Sequence, residues 1–193
     1  MTSTGIVLKH SDELRTQVEP IVSTLFERVA ALFPHAEWHH IGATAVAGSL
    51  TKGDIDILCR VPQSDFDGVR DELGRHFVIK QRVNWTSNFA SFGDDTSYSI
   101  PVGIQLVARD SVSDFFLFQR DYLIAHPDAT EEYNKIKAAH ASDGPARYWK
   151  AKDAFLAKIV ALWSKSQDRP PTQSPDPALA SVTHPAGQGA RHP

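Results

Sequence analysis

Apolar residues near the start of the chain recur three or four positions apart. This spacing predicts an amphipathic helix, with Ser11 as a candidate N-cap. Pro20 lies inside the pattern, so we expect the helix to kink or divide there, because proline lacks the N–H group that a helix interior needs. The apolar stripe consists of Leu14, Val18, Ile21, Val22, Leu25 and Val29.

Short runs of β-branched and aromatic residues predict strands in the middle of the chain. The clearest of these strands is Ile55–Val61, and a helix that begins at Ser64 or Asp65 and ends near His76 is expected to follow it. The other predicted strands cover residues Glu37–Ile41, 77–84, 88–92 and 99–108.

Beyond residue 108 the apolar spacing becomes helical. One predicted helix ends at Pro127, a second covers residues 129–141, and a third carries an apolar stripe from Tyr148 to Trp163. A first helix, a sheet and then further helices are typical of an α+β fold, with a mixed β-sheet flanked by helices and a C-terminal helical part.

Composition divides the chain near residue 165. The segment from residue 167 to 193 holds six of the twelve prolines and no aromatic residue, so it cannot bury enough apolar surface to offset the entropy of ordering it. We therefore predict one domain over residues 1–165 and a Pro-rich disordered tail over residues 166–193.

Charge and cysteine content exclude several classes of protein. The formal net charge of -3 argues against a nucleic-acid partner, because such proteins usually carry a basic excess. The single cysteine, Cys59, cannot form an internal disulfide, and no apolar run approaches the length of a membrane span. We expect a cytoplasmic protein without membrane contact.

The residues that suggest chemistry begin with Asp54 and Asp56. They are two positions apart on a predicted strand, so both carboxylates should point to the same side. Two such acids repel each other unless a cation lies between them, and Mg²⁺ prefers oxygen ligands of this kind. The sequence therefore predicts a metal site in which both aspartates are ligands and catalytic residues.

A segment of small residues precedes this pair. Gly42 ends the strand before it, and glycines allow a phosphate to approach backbone N–H groups closely. Thr44 could add a hydroxyl group and Lys52 a positive charge. The alternative interpretation is plain turn chemistry with solvated aspartates, and the combination of glycines and acids favours the phosphate–metal site over it.

The segment HIGATAVAGSLTKGDIDIL resembles the HIGST-x-VPG segment of the GrpB-like family, within the nucleotidyltransferase superfamily typified by DNA polymerase beta. Residues 120–140 and 148–160 also resemble that family's C-terminal helices. The resemblance implies a nucleotidyltransferase-like fold whose enzymes use Mg²⁺ to transfer a nucleoside monophosphate from ATP or another NTP. It also implies a third carboxylate on a neighbouring strand, and fusions of the family with dephospho-CoA kinase suggest an accessory role.

The chain departs from this pattern at three positions. Ala43 stands where the superfamily usually has Ser or Gly, and Ala47 where the family tends to have Pro. Gln105 occupies the position expected for the third carboxylate. Its amide oxygen could ligate a metal ion, but it adds no negative charge and cannot act as a general base.

Several other residues are candidates for the same site. The helices after the sheet often close over the nucleotide in this superfamily, so the resemblance points to Arg120, Tyr148 and Lys152 as substrate contacts, beside Gly42, Ala43, Thr44, Lys52 and Gln105. Solvated helix surface is the alternative for the charged ones. His40 is expected to form a hydrogen bond near the loop. Asp94 and Asp95 have the pattern of a hairpin turn, and they are also candidates to replace the absent acid.

The leading functional prediction is Mg²⁺-dependent transfer of a nucleoside monophosphate to a small-molecule hydroxyl, amine or carboxylate. Adenylation of a carboxylate would open a route to ligation. The alternatives are a non-catalytic nucleotide- or CoA-precursor-binding module that assists a partner enzyme, and a scaffold with a vestigial site.

Overall fold

The computed structural model describes residues 5–166. The predicted tail lies outside these residues. Within the described range, no helix is both long and apolar enough to cross a membrane. The α+β fold with a helical C-terminal part is confirmed.

Five helices and seven strands form in this range. The order along the chain is β1 (Lys9–His10), α1 (Ser11–Leu32), β2 (Glu37–Ile41), β3 (Leu50–Thr51), β4 (Ile55–Val61), α2 (Phe66–His76), β5 (Val78–Lys80), β6 (Phe89–Asp94), β7 (Val102–Ala108), α3 (Phe116–Ala125), α4 (Pro127–His140) and α5 (Pro145–Ser166). Short 3-10 turns occur at Ala43–Ala45, Gln63–Asp65 and Arg82–Asn84.

The main sheet has the strand order β2-β4-β7-β6-β5. Strands β4 and β7 are parallel, and the other neighbours are antiparallel. The short strands β1 and β3 form a separate antiparallel pair. This arrangement places β4, which carries the acidic pair, next to β7, which carries Gln105.

The two faces of the sheet are covered by different helices. Ile55, Ile57 and Cys59 of β4 belong to the core formed with α1 and α2. Leu58, on the opposite face, packs with residues of α3 and α5, including Phe116 and Val160. Strand alternation therefore directs the even-numbered residues of β4 towards the C-terminal helices.

The first helix differs from its prediction at Ser11, and it is not divided at Pro20. Ser11 is the first helical residue and not a side-chain cap; its Oγ donates a hydrogen bond to the Val46 carbonyl at 2.7 Å. Helix α1 also continues through Pro20 without division. Thr16 and Pro20 are both exposed, so water can reach the carbonyl group that proline leaves without a donor.

Two further boundaries differ from the prediction. The predicted strand 77–84 is reduced to Val78–Lys80, because Gln81 takes a left-handed conformation with φ of 43° and a 3-10 turn follows it. Pro127 does more than close α3: it begins α4, where its missing N–H group would be unpaired in any case.

Candidate functional site

Asp56 lies at the start of β4, Asp54 immediately precedes that strand, and both line the same cavity. Asp56 is opposite Gly103 of β7 in the parallel pairing, and Gln105 lines the cavity beside it. The cavity has a volume of about 60 Å³ and lies between this part of the sheet and helices α3–α5. The predicted placement of both acids on one side is therefore what the structure shows.

Two glycines make room for the Asp56 carboxylate. A Cβ atom at Gly42 would overlap Asp56 Oδ2 far inside van der Waals contact, and one at Gly103 would lie 3.2 Å from Asp56 Oδ1. Gly42 also has φ of 72° and ψ of -170°, a conformation that is essentially restricted to glycine. The sequence suggested Gly42 as a phosphate contact. The structure shows a further role: the missing side chain of Gly42 leaves the space that the Asp56 carboxylate occupies.

Asp56 is buried, and this burial dominates its electrostatics. Burial raises the pKa of Asp56, the neighbouring Asp54 raises it further, and Lys52 and Lys152 oppose the shift. Lys52 Nζ forms an ion pair with Asp54 Oδ2 at 3.0 Å. The two carboxylates thus share a site in which added positive charge is favourable.

The hydrogen bonding of Gln105 indicates whether the cavity suits a metal ion. Its Nε2 donates a hydrogen bond to Asp56 Oδ1 at 3.4 Å. Its Oε1 is buried and has no hydrogen-bond partner in the part of the chain that the structure describes. Two carboxylates and an unpaired amide oxygen are hard oxygen donors, which fit Mg²⁺. No cluster of three or more His, Cys, Asp or Glu side chains that could hold a metal ion occurs in residues 5–166.

The 3-10 turn after Gly42 combines a fixed backbone with unpaired donors. Within residues 5–166, the N–H groups of Ala43 and Thr44 have no acceptor, as expected for the first turn of a helix. Thr44 is not part of the cavity wall; its hydroxyl donates to the Asp54 carbonyl at 3.2 Å. The phosphate contact of Thr44 expected from the sequence is thus replaced by a bond to the backbone.

His40 holds Thr44 from the other side. The distance between His40 Nε2 and Thr44 Oγ1 is 3.0 Å, which confirms the expected hydrogen bond near the loop. The only Thr44 hydroxyl proton is donated to Asp54, so His40 Nε2–H must be the donor. Burial and the nearby Arg120 lower the pKa of His40 to about 4, and the ring is therefore neutral at pH 7.

The three residues predicted on the C-terminal helices all line the cavity. Arg120 of α3 donates a hydrogen bond to the His40 carbonyl at 3.0 Å and forms an ion pair with Asp121. Tyr148 and Lys152 of α5 are 1% and 4% exposed. Burial lowers the pKa of Lys152, and both aspartates oppose this shift. Lys152 therefore belongs to the site and not to a solvated helix surface.

Lys137 of α4 also lines the cavity and was missed in the sequence. It is 1% exposed, and its Nζ donates hydrogen bonds to Ser49 Oγ at 2.9 Å and to the Leu50 carbonyl. Burial, followed by the charge of Lys152, lowers the pKa of Lys137 to about 6. One signal was available: Lys137 is four residues after Tyr133, on the buried side of the same helix.

Asp94 and Cys59 do not join the site. Asp94 Oδ1 accepts hydrogen bonds from the Ser97 and Thr96 N–H groups, and its Oδ2 lies 3.6 Å from Arg28 of α1. These contacts are turn chemistry on the other face of the sheet, so Asp94 is wrong as a substitute for the absent acid. Cys59 packs in the core with α1 and α2, as its strand parity predicted.

The acidic and basic side chains of the cavity wall are unequal in number. Its acids are Asp54 and Asp56, whereas its basic side chains are Lys52, Arg120, Lys137 and Lys152. The wall can bind a metal ion through its acids and still provide positive charge for an anion. This combination suits a metal–phosphate complex.

Comparison with known proteins relates most of the described residues to one family. A family model described as GrpB protein matches residues 6–161. UPF0157 protein VC_A0354 of Vibrio cholerae is 27% identical over 151 residues, which cover 78% of this chain and 79% of that protein. UPF0157 protein PA4798 of Pseudomonas aeruginosa is 28% identical over 158 residues, and the match covers 76% of this chain but only 63% of that protein.

One solved structure shows the same relationship at the level of the fold, and a second is more distantly similar. The crystal structure of conserved protein GrpB from Enterococcus faecalis matches with a TM-score of 0.62 and 22% identity, covering 84% of this chain and all of that chain. A structure of the Cid1 poly(U) polymerase with MgGTP matches with a TM-score of 0.47 and 13% identity, covering 69% of this chain and 46% of that chain. The first of these shows that the fold is shared.

Proposed function

This chain belongs to the GrpB family, and we propose that it binds a nucleoside triphosphate with Mg²⁺ and transfers the nucleoside monophosphate to a small-molecule acceptor. The observation that carries the proposal is the shared cavity of Asp54 and Asp56 with a surplus of basic side chains. The resemblance of residues 41–57 to the signature of the nucleotidyltransferase superfamily supports the same reaction.

The acids and the amide of the cavity would hold the metal ion. Asp54 and Asp56 provide the charged ligands, and the unpaired Oε1 of Gln105 is available as a neutral one. Bound Mg²⁺ neutralises negative charge on the triphosphate and on the departing pyrophosphate. Gly42 and Gly103 leave room for the Asp56 carboxylate in this role: a Cβ atom at Gly42 would displace it, and one at Gly103 would crowd it.

The phosphates would be held by groups from both halves of the wall. Lys52 lies on the sheet side with the unpaired N–H group of Ala43, whereas Arg120 and Lys152 lie on the helices opposite. The buried Tyr148 excludes water from this side of the cavity. Fixed donors in a dry site stabilise developing charge more strongly than water does.

The cavity is smaller than the ligand that we propose for it. Its volume of about 60 Å³ compares with about 300–1,000 Å³ for typical ligand sites. We therefore infer that α3–α5 separate from the sheet to admit a nucleotide, and that closure brings Arg120 and Lys152 onto the phosphates.

A binding and turnover experiment tests the proposal. Each NTP is titrated into the protein with and without Mg²⁺, and pyrophosphate release is measured with candidate acceptors. We expect Mg²⁺-dependent binding that Asp54→Asn or Asp56→Asn weakens by at least about tenfold, because each removes a charged ligand. Asp67→Asn, at an exposed position on α2, is the control. Equal binding by all variants would contradict the proposal.

Gln105 favours a second candidate function. Because it adds no carboxylate beside Asp56, the site could bind a nucleotide or a CoA precursor without turnover, as an accessory module for a partner enzyme. Mg²⁺-dependent binding with no pyrophosphate release on any acceptor would select this module over the transferase.

A further inference from the structure

Lys137 differs from the other lysines of the cavity wall in its surroundings. Lys52 forms an ion pair with Asp54, and both aspartates of the site favour the charged form of Lys152 against the effect of burial. Among the described residues, no carboxylate forms an ion pair with Lys137. Burial and the charge of Lys152 lower the pKa of Lys137 to about 6, so most of this amine is neutral at pH 7.

The hydrogen bonds of Lys137 fit a neutral amine. A neutral amine has two N–H groups and one lone pair, whereas an ammonium ion has three N–H groups and no lone pair. Lys137 Nζ contacts Ser49 Oγ at 2.9 Å and the Leu50 carbonyl. The Ser49 hydroxyl directs its own proton to the Leu50 carbonyl at 3.4 Å, so Lys137 is the donor in both contacts. These two bonds use both N–H groups of the neutral amine.

The lone pair of Lys137 is therefore available to a ligand of the cavity. Within residues 5–166, no group donates a hydrogen bond to this nitrogen, and the side chain lines the cavity although Lys137 is only 1% exposed. Lys152, whose charge acts on Lys137, is a proposed phosphate contact, so a phosphate held by Lys152 would lie near the lone pair.

The phenols of the wall are weaker candidates for a nucleophile. Burial raises the pKa values of Tyr133 and Tyr148 further above the ordinary value, so both hydroxyl groups remain protonated. A desolvated lysine amine, in contrast, attacks without losing a proton first, and lysines of this kind form covalent intermediates in enzymes.

We propose that Lys137 is the nucleophile of the first step, so that the nucleoside monophosphate passes through a covalent lysyl intermediate. The inference rests on the proposed transferase function and adds a catalytic residue to it. The lone pair of Lys137 Nζ forms a bond to the α-phosphorus, the bond between the α-phosphorus and the bridging oxygen breaks, and its electron pair leaves with pyrophosphate. One proton of the nitrogen also leaves with pyrophosphate, and the product on Lys137 is a phosphoramidate.

The second step returns the amine to its starting state. The acceptor attacks the same phosphorus, the phosphorus–nitrogen bond breaks, and its electron pair returns to Lys137 Nζ. The nitrogen takes up one proton, from a hydroxyl or amine acceptor or, for a carboxylate, from water. Gln105 cannot act as a base, and this route needs none at that position because the departing amine takes the proton.

Labelling without an acceptor tests the intermediate directly. The full chain is incubated with Mg²⁺ and each NTP, labelled at the α-phosphate, and its peptides are then mapped by mass spectrometry at alkaline pH, where a phosphoramidate is stable. We expect a nucleoside monophosphate on Lys137 that mild acid removes. Labelled pyrophosphate should also exchange into the NTP, because the first step is reversible. A label on a serine, a threonine or another lysine would overturn the inference.

Two variants separate the covalent step from binding. Lys137→Arg keeps a positive charge and N–H donors for the loop, but its guanidinium group stays protonated and offers no lone pair; Lys137→Met removes the charge and the donors. We expect both to lose labelling and exchange by at least about 1,000-fold, as expected for loss of a nucleophile. Lys137→Arg should retain Mg²⁺-dependent NTP binding within about tenfold. Lys135→Met, at an exposed position on the same helix, is the control and should be labelled normally.

Each outcome separates this inference from the function on which it rests. Turnover on an acceptor by a chain that never becomes labelled, or full labelling of Lys137→Arg, would overturn the inference and leave the transferase function intact. Nucleotide binding with neither label nor turnover would overturn it in favour of the accessory module. Loss of Mg²⁺-dependent nucleotide binding altogether would instead reject the proposed function.

Discussion

At the scale of single residues, the environment of Asp56 explains why small residues precede the acidic pair. Gly42 and Gly103 lie against its two carboxylate oxygens, and Gln105 donates a hydrogen bond to one of them. The carboxylate is therefore confined on two sides by backbone. Its position depends on the absence of a side chain at Gly42, and a side chain at Gly103 would crowd it.

Substitution of Gly42 tests this confinement. Gly42→Ala should destabilise the protein by about 1–3 kcal/mol through backbone strain and should also abolish Mg²⁺-dependent nucleotide binding, because the new Cβ displaces Asp56. Gly48→Ala is the matched control: Gly48 has the same φ of 72° but no atom within 4 Å of an added Cβ. Urea unfolding and nucleotide titration compare the two variants. Unimpaired binding by Gly42→Ala would contradict the expectation.

His40 gives the protein a predictable response to acid. Its pKa is about 4 in the folded state, against 6.5 when unfolded, so the unfolded chain binds more protons between these values. Stability should fall by about 2–3 kcal/mol as the pH drops from about 6.5 to about 4. His40→Gln keeps an N–H donor for Thr44 but cannot titrate, and should remove this loss.

Urea unfolding at pH 7 and at pH 4.5 measures the effect of His40. His35→Gln, which replaces an exposed histidine, is the control and should behave like the unmodified protein. The expectation fails if His40→Gln loses as much stability over this range as the unmodified protein does.

Local patterns predicted the acids of the site but not all of its partners. Asp54, Asp56 and Gly42 are close in sequence, so their relation was visible in a short segment. The hydroxyl of Thr44 is directed to the Asp54 carbonyl by His40, a contact set by the packing of β2 against the loop. Lys137 is far along the chain, and only the position of α4 brings it to the cavity.

At the scale of elements, the loop between β2 and β4 is held from two directions. From α1, the Ser11 N–H group bonds the Ser49 carbonyl, and Asp12 accepts a hydrogen bond from Gly48 N–H. From α4, Asn134 bonds both Leu50 N–H and the Gly48 carbonyl. Helix α4 thus connects the C-terminal helices to the loop beside the acids.

Asn134 is the residue with which to test that connection. Asn134→Ala should cost about 1–2 kcal/mol, because two hydrogen bonds are lost and Leu50 N–H is left without its acceptor. Amide hydrogen exchange at Leu50 should become faster. Lys135→Ala breaks only an exposed pair with Glu131 and should change stability by less than about 0.5 kcal/mol. If amide exchange at Leu50 is unchanged in Asn134→Ala, the proposed connection between α4 and the loop is wrong.

Element boundaries were less predictable than the elements themselves. The period of apolar residues located α1, β4 and α5, because burial on one face requires that period. The end of β5 depends on the positive φ of Gln81, which no residue pattern signals because Gln rarely adopts it. The continuity of α1 through Pro20 depends on solvent exposure, which only the tertiary arrangement decides.

At the scale of the whole molecule, the two ends of β4 differ in their charged contacts: one end faces the candidate site and the other forms ion pairs with neighbouring elements. The acids lie at one end, and Arg60 lies at the other in an ion-pair network. Arg60 contacts both oxygens of Asp114 at 2.7 and 2.8 Å and Glu37 at 2.6 Å, and Arg109 contacts the same Glu37 at 2.7 Å. This network fastens β2, β4 and the segment before α3.

Arg60→Leu should lower the free energy of unfolding without changing the affinity for Mg²⁺ and nucleotide. Removing Arg60 should cost about 1–3 kcal/mol, because Asp114 is left buried without its cation, whereas Glu37 is partly exposed and can be solvated. The affinity for Mg²⁺ and nucleotide should be unchanged at temperatures well below the unfolding midpoint. Calorimetry measures both quantities, and Arg15→Leu, at an exposed pair, is the control. A parallel loss of affinity would show that the two ends of the strand are coupled.

Lys152 and Tyr148 lie on α5, the last helix of the described range, and are therefore synthesised after the acidic pair that they face across the cavity. A ribosome releases Lys52, Asp54 and Asp56 well before α5, so the nascent chain holds the acidic pair before the ammonium group of Lys152 exists. Under the proposed function, we expect nucleotide capture to require that translation has delivered this helix.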